Sequence, residues 1–255
     1  MNKIISNITL DLFQSKAILI YGILLAVLGW GLFVLESQPE KVILAILQIN
    51  LVVLPLITSV FATIYFYKSS EFIQLLLIQP IKRSRIIWGF FSGLNLGFIA
   101  CYLLGIGLPL LIFYPTLASG LLIVSGLFLS VIFTGLALLV STHQQDKSRS
   151  MGIVLLIWAF FSFIFDGIQL WVIYQFAEYP IEEGILASTF LNPVSISRII
   201  VVMQTEASAL LGLSGAVFKD FFGSMVGAII SIATLVVWTV LPYIFIRKRF
   251  LSRDF

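Results

Sequence analysis

The sequence predicts an all-α membrane protein with six transmembrane helices. Of its 255 residues, 60% are hydrophobic and only 11% are charged, whereas soluble domains carry roughly a quarter of charged residues. Six continuous apolar stretches reach the roughly 20 residues that a helix needs to cross a bilayer. These stretches lack the two-residue alternation of membrane β-barrels, so we expect helices throughout a single transmembrane domain, 1–255.

The predicted spans follow one another with three longer connections between or before them. In chain order they are residues 17–35, 42–67, 86–113, 118–142, 151–176 and 225–246. The longer extramembrane segments are residues 1–16, 68–85 and 177–224.

The basic residues predict the orientation, because Lys and Arg concentrate on the cytoplasmic side of a membrane protein. With both termini in the cytoplasm, only Lys41, Arg198 and Lys219 of the 15 basic residues lie outside. The net charge of +3 then reflects membrane orientation, and we expect contact with membrane lipid and no binding of nucleic acid.

The N-terminal segment, residues 1–16, has an amphipathic pattern. Its apolar residues Ile4, Ile5, Ile8 and Leu12 recur at helical spacing among polar ones. This pattern predicts an interfacial helix on the cytoplasmic leaflet.

The connection between spans two and three, residues 68–85, predicts a short cytoplasmic helix. Ser69 or Ser70 can cap a helix over 71–78, and Pro80 ends it. A basic cluster follows at the membrane surface. The apolar face of this helix requires either lipid or a partner protein.

The connection between spans five and six, residues 177–224, is too long for a turn. It predicts helical pieces at 181–190 and 195–211, with Asn192 or Ser195 able to cap the second. In the predicted orientation this segment is extracytoplasmic, and we expect an external partner to bind there.

The chain carries no motif for hydrolytic chemistry. GxxxxGK[ST], HExxH and GxSxG patterns are absent, so we predict no catalytic residue. It has one histidine, one cysteine and four scattered methionines, and copper or zinc sites need clusters of such ligands. We therefore predict no metal site.

Asp166 is the one acidic residue within a predicted span, and a charge at membrane depth is costly unless it is paired or hydrated. Two interpretations remain open. Asp166 is a functional group, or it lies in the outer half of span five where a water-filled crevice or Arg198 satisfies it. For Gln48, Asn50, Asn95 and Gln169 we expect mostly interhelical hydrogen bonds.

The sequence YKSSEFIQLLLIQPIKRSRIIWG around the second connection resembles the signature of type-2 ABC transporter permeases. The resemblance implies that this segment is a coupling helix that docks on a cytoplasmic ABC ATPase, which would bind ATP and Mg²⁺. It also implies a dimer with a second copy of the chain. The implied ATPase contacts are Glu71, Phe72, Leu75 and Leu76, and the implied membrane-surface anchors are Arg83 and Arg85.

Shorter pieces resemble the permeases of transporters that support nitrous oxide reductase maturation. They are Asp146-Lys147-Ser148, Phe165-Asp166, Leu191-Asn192-Pro193, Arg198 and the basic C-terminal run. This narrower resemblance implies the bacterial inner membrane, a periplasmic accessory protein and a role in copper-site assembly. It makes Asp166, Asn192, Pro193 and Arg198 candidate functional residues.

Two other functions remain open. A type-2 exporter of a lipid, peptide or drug-like molecule would need only a broad apolar cavity. An intramembrane enzyme or ion channel would need several polar residues at the midplane, which Asp166 alone does not provide.

Overall fold

A computed structural model describes residues 16–176, 178–179, 181–205, 221–222 and 224–252. In this part of the chain the regular structure is helical, and six helices are long and apolar enough to cross a membrane. This confirms the predicted all-α, six-span fold. The spans are Lys16–Leu35, Pro39–Lys68, Arg83–Phe113, Leu117–His143, Lys147–Gln175 and Met225–Ser252, and we call them spans one to six.

Three shorter helices between the spans have both ends within the described residues. Ser70–Ile78 follows span two and is called the connector helix. Glu182–Thr189 and Pro193–Val202 lie between spans five and six and are called the first and second loop helices. If each span crosses the bilayer, the connector helix and the loop helices lie on opposite sides, named here the connector side and the loop side. The predicted interfacial helix falls on residues 1–16, of which 1–15 lie outside the described residues.

Three spans contain a five-residue π-helical segment. Span two comprises Pro39–Gln48, the π segment Ile49–Val53 and Leu54–Lys68. Span three comprises Arg83–Tyr102, the π segment Leu103–Gly107 and Leu108–Phe113. Span five comprises Lys147–Ala159, the π segment Phe160–Ile164 and Phe165–Gln175.

The π segments expose backbone carbonyls that neighbouring side chains then bind. In spans two and three a proline follows the segment and removes one backbone N–H. Trp158 Nε1 of span five donates to the carbonyl of Val52 at 3.0 Å, and Trp30 Nε1 of span one reaches that of Leu104 at 3.4 Å. The wide turns are therefore places where one span is hydrogen-bonded to another, because lipid offers no alternative partner.

Span four is the centre of the bundle. Two thirds of its most apolar stretch (67%) is buried, against 11% for span five and 22% for spans one and six. It packs on spans two, three, five and six and on the second loop helix. Spans one, five and six therefore present broad apolar surfaces to lipid or to another protein.

A polar cluster fixes spans two, three and four to one another. Asn50 Nδ2, which is fully buried, donates to the Tyr102 hydroxyl at 2.9 Å and to the carbonyl of Leu122 at 3.1 Å. Gly126 leaves room for this cluster, because a Cβ there would lie 2.1 Å from the Tyr102 hydroxyl oxygen. Asn50 thus makes the expected interhelical bonds.

The other polar residues for which we predicted interhelical hydrogen bonds differ in their partners. Gln169 Nε2 of span five donates to Ser188 Oγ of the first loop helix at 2.8 Å, as expected. Asn95 Nδ2 instead donates within its own helix, to the carbonyl of Phe91. Gln48 is exposed. Exposure explains why Gln48 has no interhelical bond, whereas Asn95 is buried and nevertheless donates within its own helix.

Spans one and three cross at glycines. A Cβ on Gly29 would lie 2.0 Å from the carbonyl oxygen of Gly105, and one on Gly105 would lie 2.7 Å from Leu25 Cβ. Real Cβ contacts are 3.4 Å or longer in ordinary packing. Small residues here allow close backbone approach, as is usual where membrane helices cross.

Candidate functional site

The connector helix begins directly after span two and ends where the sequence predicts. It runs from Ser70 to Ile78, and Gln79 already has extended backbone immediately before Pro80. Ser69 occupies the N-cap position, but its side chain makes no capping hydrogen bond. The predicted capping role of Ser69 or Ser70 is therefore wrong, because the connector helix continues from span two across a single intervening residue.

The two faces of the connector helix have different surroundings. Ile73 and Leu76, three residues apart on one face, are buried, with 2% and 7% of their surface exposed. Phe72, Leu75 and Ile78 form an adjacent, more exposed stripe, with 40%, 61% and 82% of their surface exposed. The helix is thus held to spans two and three by one apolar face and presents a second apolar face outward.

Of the four predicted contact residues, Leu76 lies on the buried side. Glu71, Phe72 and Leu75 are exposed. Leu76 packs inward because it follows the buried Ile73 by three residues, and a helix brings such residues onto the same face. Leu76 therefore anchors the connector helix in this structure and is not accessible to a partner.

The two predicted anchors, Arg83 and Arg85, lie in the first turn of span three. Arg85 is exposed and Arg83 is partly buried. Basic side chains are unfavourable near the positive N-terminus of a helix. Helix stabilisation therefore does not explain their position, and their role as membrane-surface anchors stays a prediction.

The end of span two also holds the turn between spans four and five. The Tyr67 hydroxyl lies 3.1 Å from the carbonyl oxygen of Gln144 and 3.3 Å from that of Asp146. Asp146 in turn caps span five, its Oδ1 accepting from the backbone N–H of Ser148 at 3.0 Å. Span five therefore starts at a point fixed to the base of the connector helix.

On the loop side, the two loop helices form a bent pair with an angle of 113° between them. Asn192 caps the second helix, its Oδ1 accepting from the backbone N–H of Val194 at 2.9 Å, and Pro193 occupies the first helical position. The cap predicted at Asn192 or Ser195 is thus Asn192. The second predicted piece, 195–211, extends beyond the described residues after Thr205.

The second loop helix lies among the spans. It contacts spans four and six and the π segments of spans two and five. Asn192 and Pro193 are buried. Asn192 also crosses to span five, its Nδ2 donating to the π-segment carbonyl of Phe161 at 2.9 Å. These two candidate residues are therefore inaccessible to an external partner here, and the first loop helix is the more exposed of the pair.

Asp166 of span five binds the second loop helix through both carboxylate oxygens. Ser195 Oγ donates to Oδ1 at 2.9 Å, and Arg198 Nη1 donates to Oδ2 in an ion pair. The side chains of Arg198 and Asp166 are 33% and 21% exposed. Arg198 is therefore the charged partner of Asp166 in this structure, and whether Asp166 also has a functional role stays a prediction. We call Asp166, Asn192, Ser195 and Arg198 the polar joint.

Sequence reasoning missed three contributors to these contacts. Ser195, which the sequence offers as a cap, is the second donor to Asp166. Ser188 and Trp158 were not singled out. A signal was present, since Ser162, Asp166 and Gln169 recur at four- and three-residue spacing and so share one face of span five. Asp166 and Gln169 on that face bind the loop helices, whereas Ser162 Oγ donates to the carbonyl of Leu51 in span two at 3.4 Å.

The described residues contain no group of three His, Cys, Asp or Glu side chains placed to hold a metal ion. The one histidine, His143, lies at the connector-side end of span four. Its Nδ1 contacts the carbonyl oxygen of Leu139 at 2.8 Å, within its own helix. The geometry of the described residues thus offers binding surfaces and interhelical joints.

The chain is similar to two curated proteins, each named probable ABC transporter permease protein NosY. The protein from Pseudomonas aeruginosa is 26% identical over 170 residues, which are 63% of this chain and 56% of that protein. The protein from Stutzerimonas stutzeri is 26% identical over 180 residues, 65% of this chain and 60% of that protein. The match thus spans less than two thirds of these relatives, and no protein-family model matches. The similarity confirms the resemblance to ABC transporter permeases.

Proposed function

We propose that the chain is the membrane subunit of an ATP-driven ABC transporter and that its connector helix docks on a separate ATPase subunit. The observation that carries this proposal is the outward apolar surface of Phe72, Leu75 and Ile78 on a helix anchored by Ile73 and Leu76. Exposed apolar patches of this kind mark interaction sites, and a helix laid into a groove is a common docking mode. Glu71 adds a charged group at the same surface.

The positive-inside rule supports a cytoplasmic connector side. The loops on that side carry most of the basic residues, including Lys68, Lys82, Arg83 and Arg85, whereas Lys41 and Arg198 lie near the loop side. In this orientation both termini are cytoplasmic and the loop helices are periplasmic in a bacterial inner membrane. ATP and Mg²⁺ then bind to the ATPase partner, and a second copy of this chain completes a dimeric transporter.

The contacts within the chain suggest how movement of the connector helix reaches the loop side. The connector helix continues from span two, whose π segment accepts the Trp158 hydrogen bond from span five. The π segment of span five accepts the Asn192 hydrogen bond from the second loop helix. Wide turns can shift register more readily than regular α-helix. We propose that ATPase closure alters the population of two span arrangements through this sequence of contacts.

We further propose that the periplasmic task is maturation of the copper site of nitrous oxide reductase, together with a periplasmic accessory protein. The resemblance around Asp166, Asn192-Pro193 and Arg198 supports this assignment, and so does the similarity to proteins named NosY. The copper ligands would then belong mainly to the accessory protein, since soft metal binding needs clustered Met, Cys or His ligands.

One observation favours the exporter alternative. An apolar cavity of about 310 Å³ lies between span five and the first loop helix, lined by residues such as Phe165, Ile168, Val172 and Ile185. Such a cavity has the size and polarity to hold part of a lipid or of another apolar molecule. An exporter would use this cavity during transport, whereas a maturation permease would not require it.

The docking proposal is tested by co-purification of the ATPase with variants of the connector helix. Replacing Phe72 and Leu75 together by Ala should reduce the bound ATPase at least tenfold, because each interface anchor is worth about 1–2 kcal/mol. Gln74→Ala, an exposed polar change on the same helix, is the matched control and should retain binding. Full ATPase binding by the folded double variant would contradict the proposal.

The proposed task is tested separately in a deletion strain. Loss of the chain should yield a nitrous oxide reductase lacking copper at its catalytic site, as measured by metal analysis and activity of the purified reductase. A fully metallated and active reductase would reject the maturation role and favour export. The Phe72/Leu75 result would remain valid in either case, since it concerns only the ATPase.

A further inference from the structure

A second cavity lies on the connector side, between the ends of spans four and six. Its volume is about 530 Å³, and it is lined by Leu139, His143, Phe245, Lys248 and Arg249. Leu139 and His143 are one turn apart on span four, and Phe245 lies one turn from Lys248 and Arg249 on span six. Each helix therefore contributes one face to the cavity.

The lining is apolar at one depth and basic at another. On span six, Phe245 lies three and four residues before the two basic residues, which is about 5–6 Å deeper along the helix. On span four, Leu139 lies about 6 Å deeper than His143. The basic side chains thus lie where the spans reach the membrane surface, and the apolar ones lie one turn inside.

His143 is oriented for a ligand in this cavity. Because the carbonyl of Leu139 can only accept, His143 Nδ1 carries the proton of their 2.8 Å hydrogen bond. Nε2 is the remaining ring nitrogen, which accepts in neutral imidazole and can donate to a phosphate oxygen only in the imidazolium. His143 belongs to the same lining as Lys248 and Arg249. Lys248 is exposed, as is Phe245, with 54% of its surface accessible.

We propose that this cavity binds one anionic phospholipid, with its phosphate among His143, Lys248 and Arg249 and an acyl chain along Leu139 and Phe245. Basic pockets between membrane helices recognise anionic headgroups in this way. A soluble phosphate compound would not use the apolar wall, and an uncharged lipid would not use the basic one. The bound lipid would bridge spans four and six on the connector side.

Native mass spectrometry of the purified full-length chain tests the proposal, with phosphatidylglycerol and phosphatidylcholine of equal acyl chains as probes. We expect one phosphatidylglycerol to bind with at least fivefold preference. Lys248→Gln should weaken that binding about fivefold, the usual effect of one basic residue at a membrane surface. Lys248→Arg, which keeps the charge, should restore it.

Arg247→Gln is the matched control, because Arg247 is adjacent and exposed but does not line the cavity. It should leave phosphatidylglycerol binding unchanged. Equal weakening by Arg247→Gln and Lys248→Gln would overturn the site in favour of diffuse surface attraction. Equal binding of the two lipids, or equally tight binding of glycerol phosphate, would overturn the anionic-lipid assignment. Gel filtration of each variant confirms that it is folded before binding is compared.

Discussion

Replacing Gly29 by Ala should separate spans one and three. The added Cβ would lie 2.0 Å from the carbonyl oxygen of Gly105, whereas ordinary contacts begin at 3.4 Å, so the two backbones must move apart by up to 3.4 − 2.0 = 1.4 Å. The atom in the way is backbone, which no rotamer change can relieve. Overpacking of this kind costs about 1–3 kcal/mol and occasionally more.

Gly31→Ala is the matched control on the same span, since a Cβ there meets no atom within 4 Å. Both substitutions gain up to about 1 kcal/mol of helix propensity, so that contribution cancels in the comparison. We expect Gly29→Ala to unfold at a temperature lower than Gly31→Ala by roughly 2–12 °C, because each kcal/mol of destabilisation lowers the unfolding temperature by about 2–4 °C in a chain of this size.

The assay is thermal unfolding of the detergent-purified chain at one fixed scan rate, since unfolding of such proteins is often irreversible. Monodispersity on gel filtration before heating shows whether each variant started folded. Equal unfolding temperatures for the two variants would refute the close crossing of spans one and three.

Three further predictions concern the interior and the polar joint. Gly126→Ala should lower the unfolding temperature by several degrees, because its Cβ would lie 2.1 Å from a tyrosine hydroxyl. Gly120→Ala, where the added Cβ meets open space, should not lower it. Equal effects of the two substitutions would contradict the packing of the central cluster. Asp166→Asn and Arg198→Gln should each destabilise the chain by about 1–3 kcal/mol by leaving a partly buried partner uncompensated, and the double variant should lose less than the sum in a thermodynamic cycle. Trp158→Phe should cost about 1 kcal/mol by removing the donor to the open carbonyl of span two, an effect that denaturation in mild detergent can measure; no loss would show that this bond is dispensable.

The bounds of the spans could be predicted closely because the thickness of the bilayer sets their length. A helix in a bilayer must remain apolar for about 20 residues, and the chain changes composition sharply at its span ends. The predicted stretch 118–142, for example, is Leu117–His143 in the structure. The end of the connector helix could be predicted equally well, because Pro80 ends a helix in any surroundings.

The π segments could not be predicted, because they depend on pairs of residues far apart in the chain. Pro55 removes one backbone hydrogen bond of span two. A kink, a bound water or a wide turn could each accommodate the missing hydrogen bond. In the structure the carbonyl of Val52 in this wide turn accepts a hydrogen bond from Trp158, which is 106 residues away in the chain. Only the packing of spans two and five brings the two together.

The burial of Leu76 could not be predicted from the sequence for a related reason. The connector helix carries apolar residues around most of its circumference, so its pattern does not determine which face turns inward. Ile73 and Leu76 were as suitable for an exposed surface as Phe72 and Leu75. The junction with span two and the position of span three determine which face of the connector helix turns inward. Both depend on the tertiary structure.

The polar joint has a fully buried part and a partly exposed part, and we expect these to respond differently to salt. Asn192 is fully buried, with both ends of its amide bonded, whereas the Asp166 and Arg198 side chains remain 21% and 33% exposed. Salt screens charges that water reaches, with a Debye length of about 3 Å at 1 M. The coupling energy of the Asp166–Arg198 pair should therefore fall by at least half between 0.05 M and 1 M salt, while the destabilisation caused by Asn192→Ala should stay constant. If that holds, Asn192 fixes the second loop helix to span five, and the ion pair is the contact that can separate when the spans rearrange as we propose. A salt-independent ion pair would mean that water does not reach it, and the whole joint would then have to move as one rigid unit.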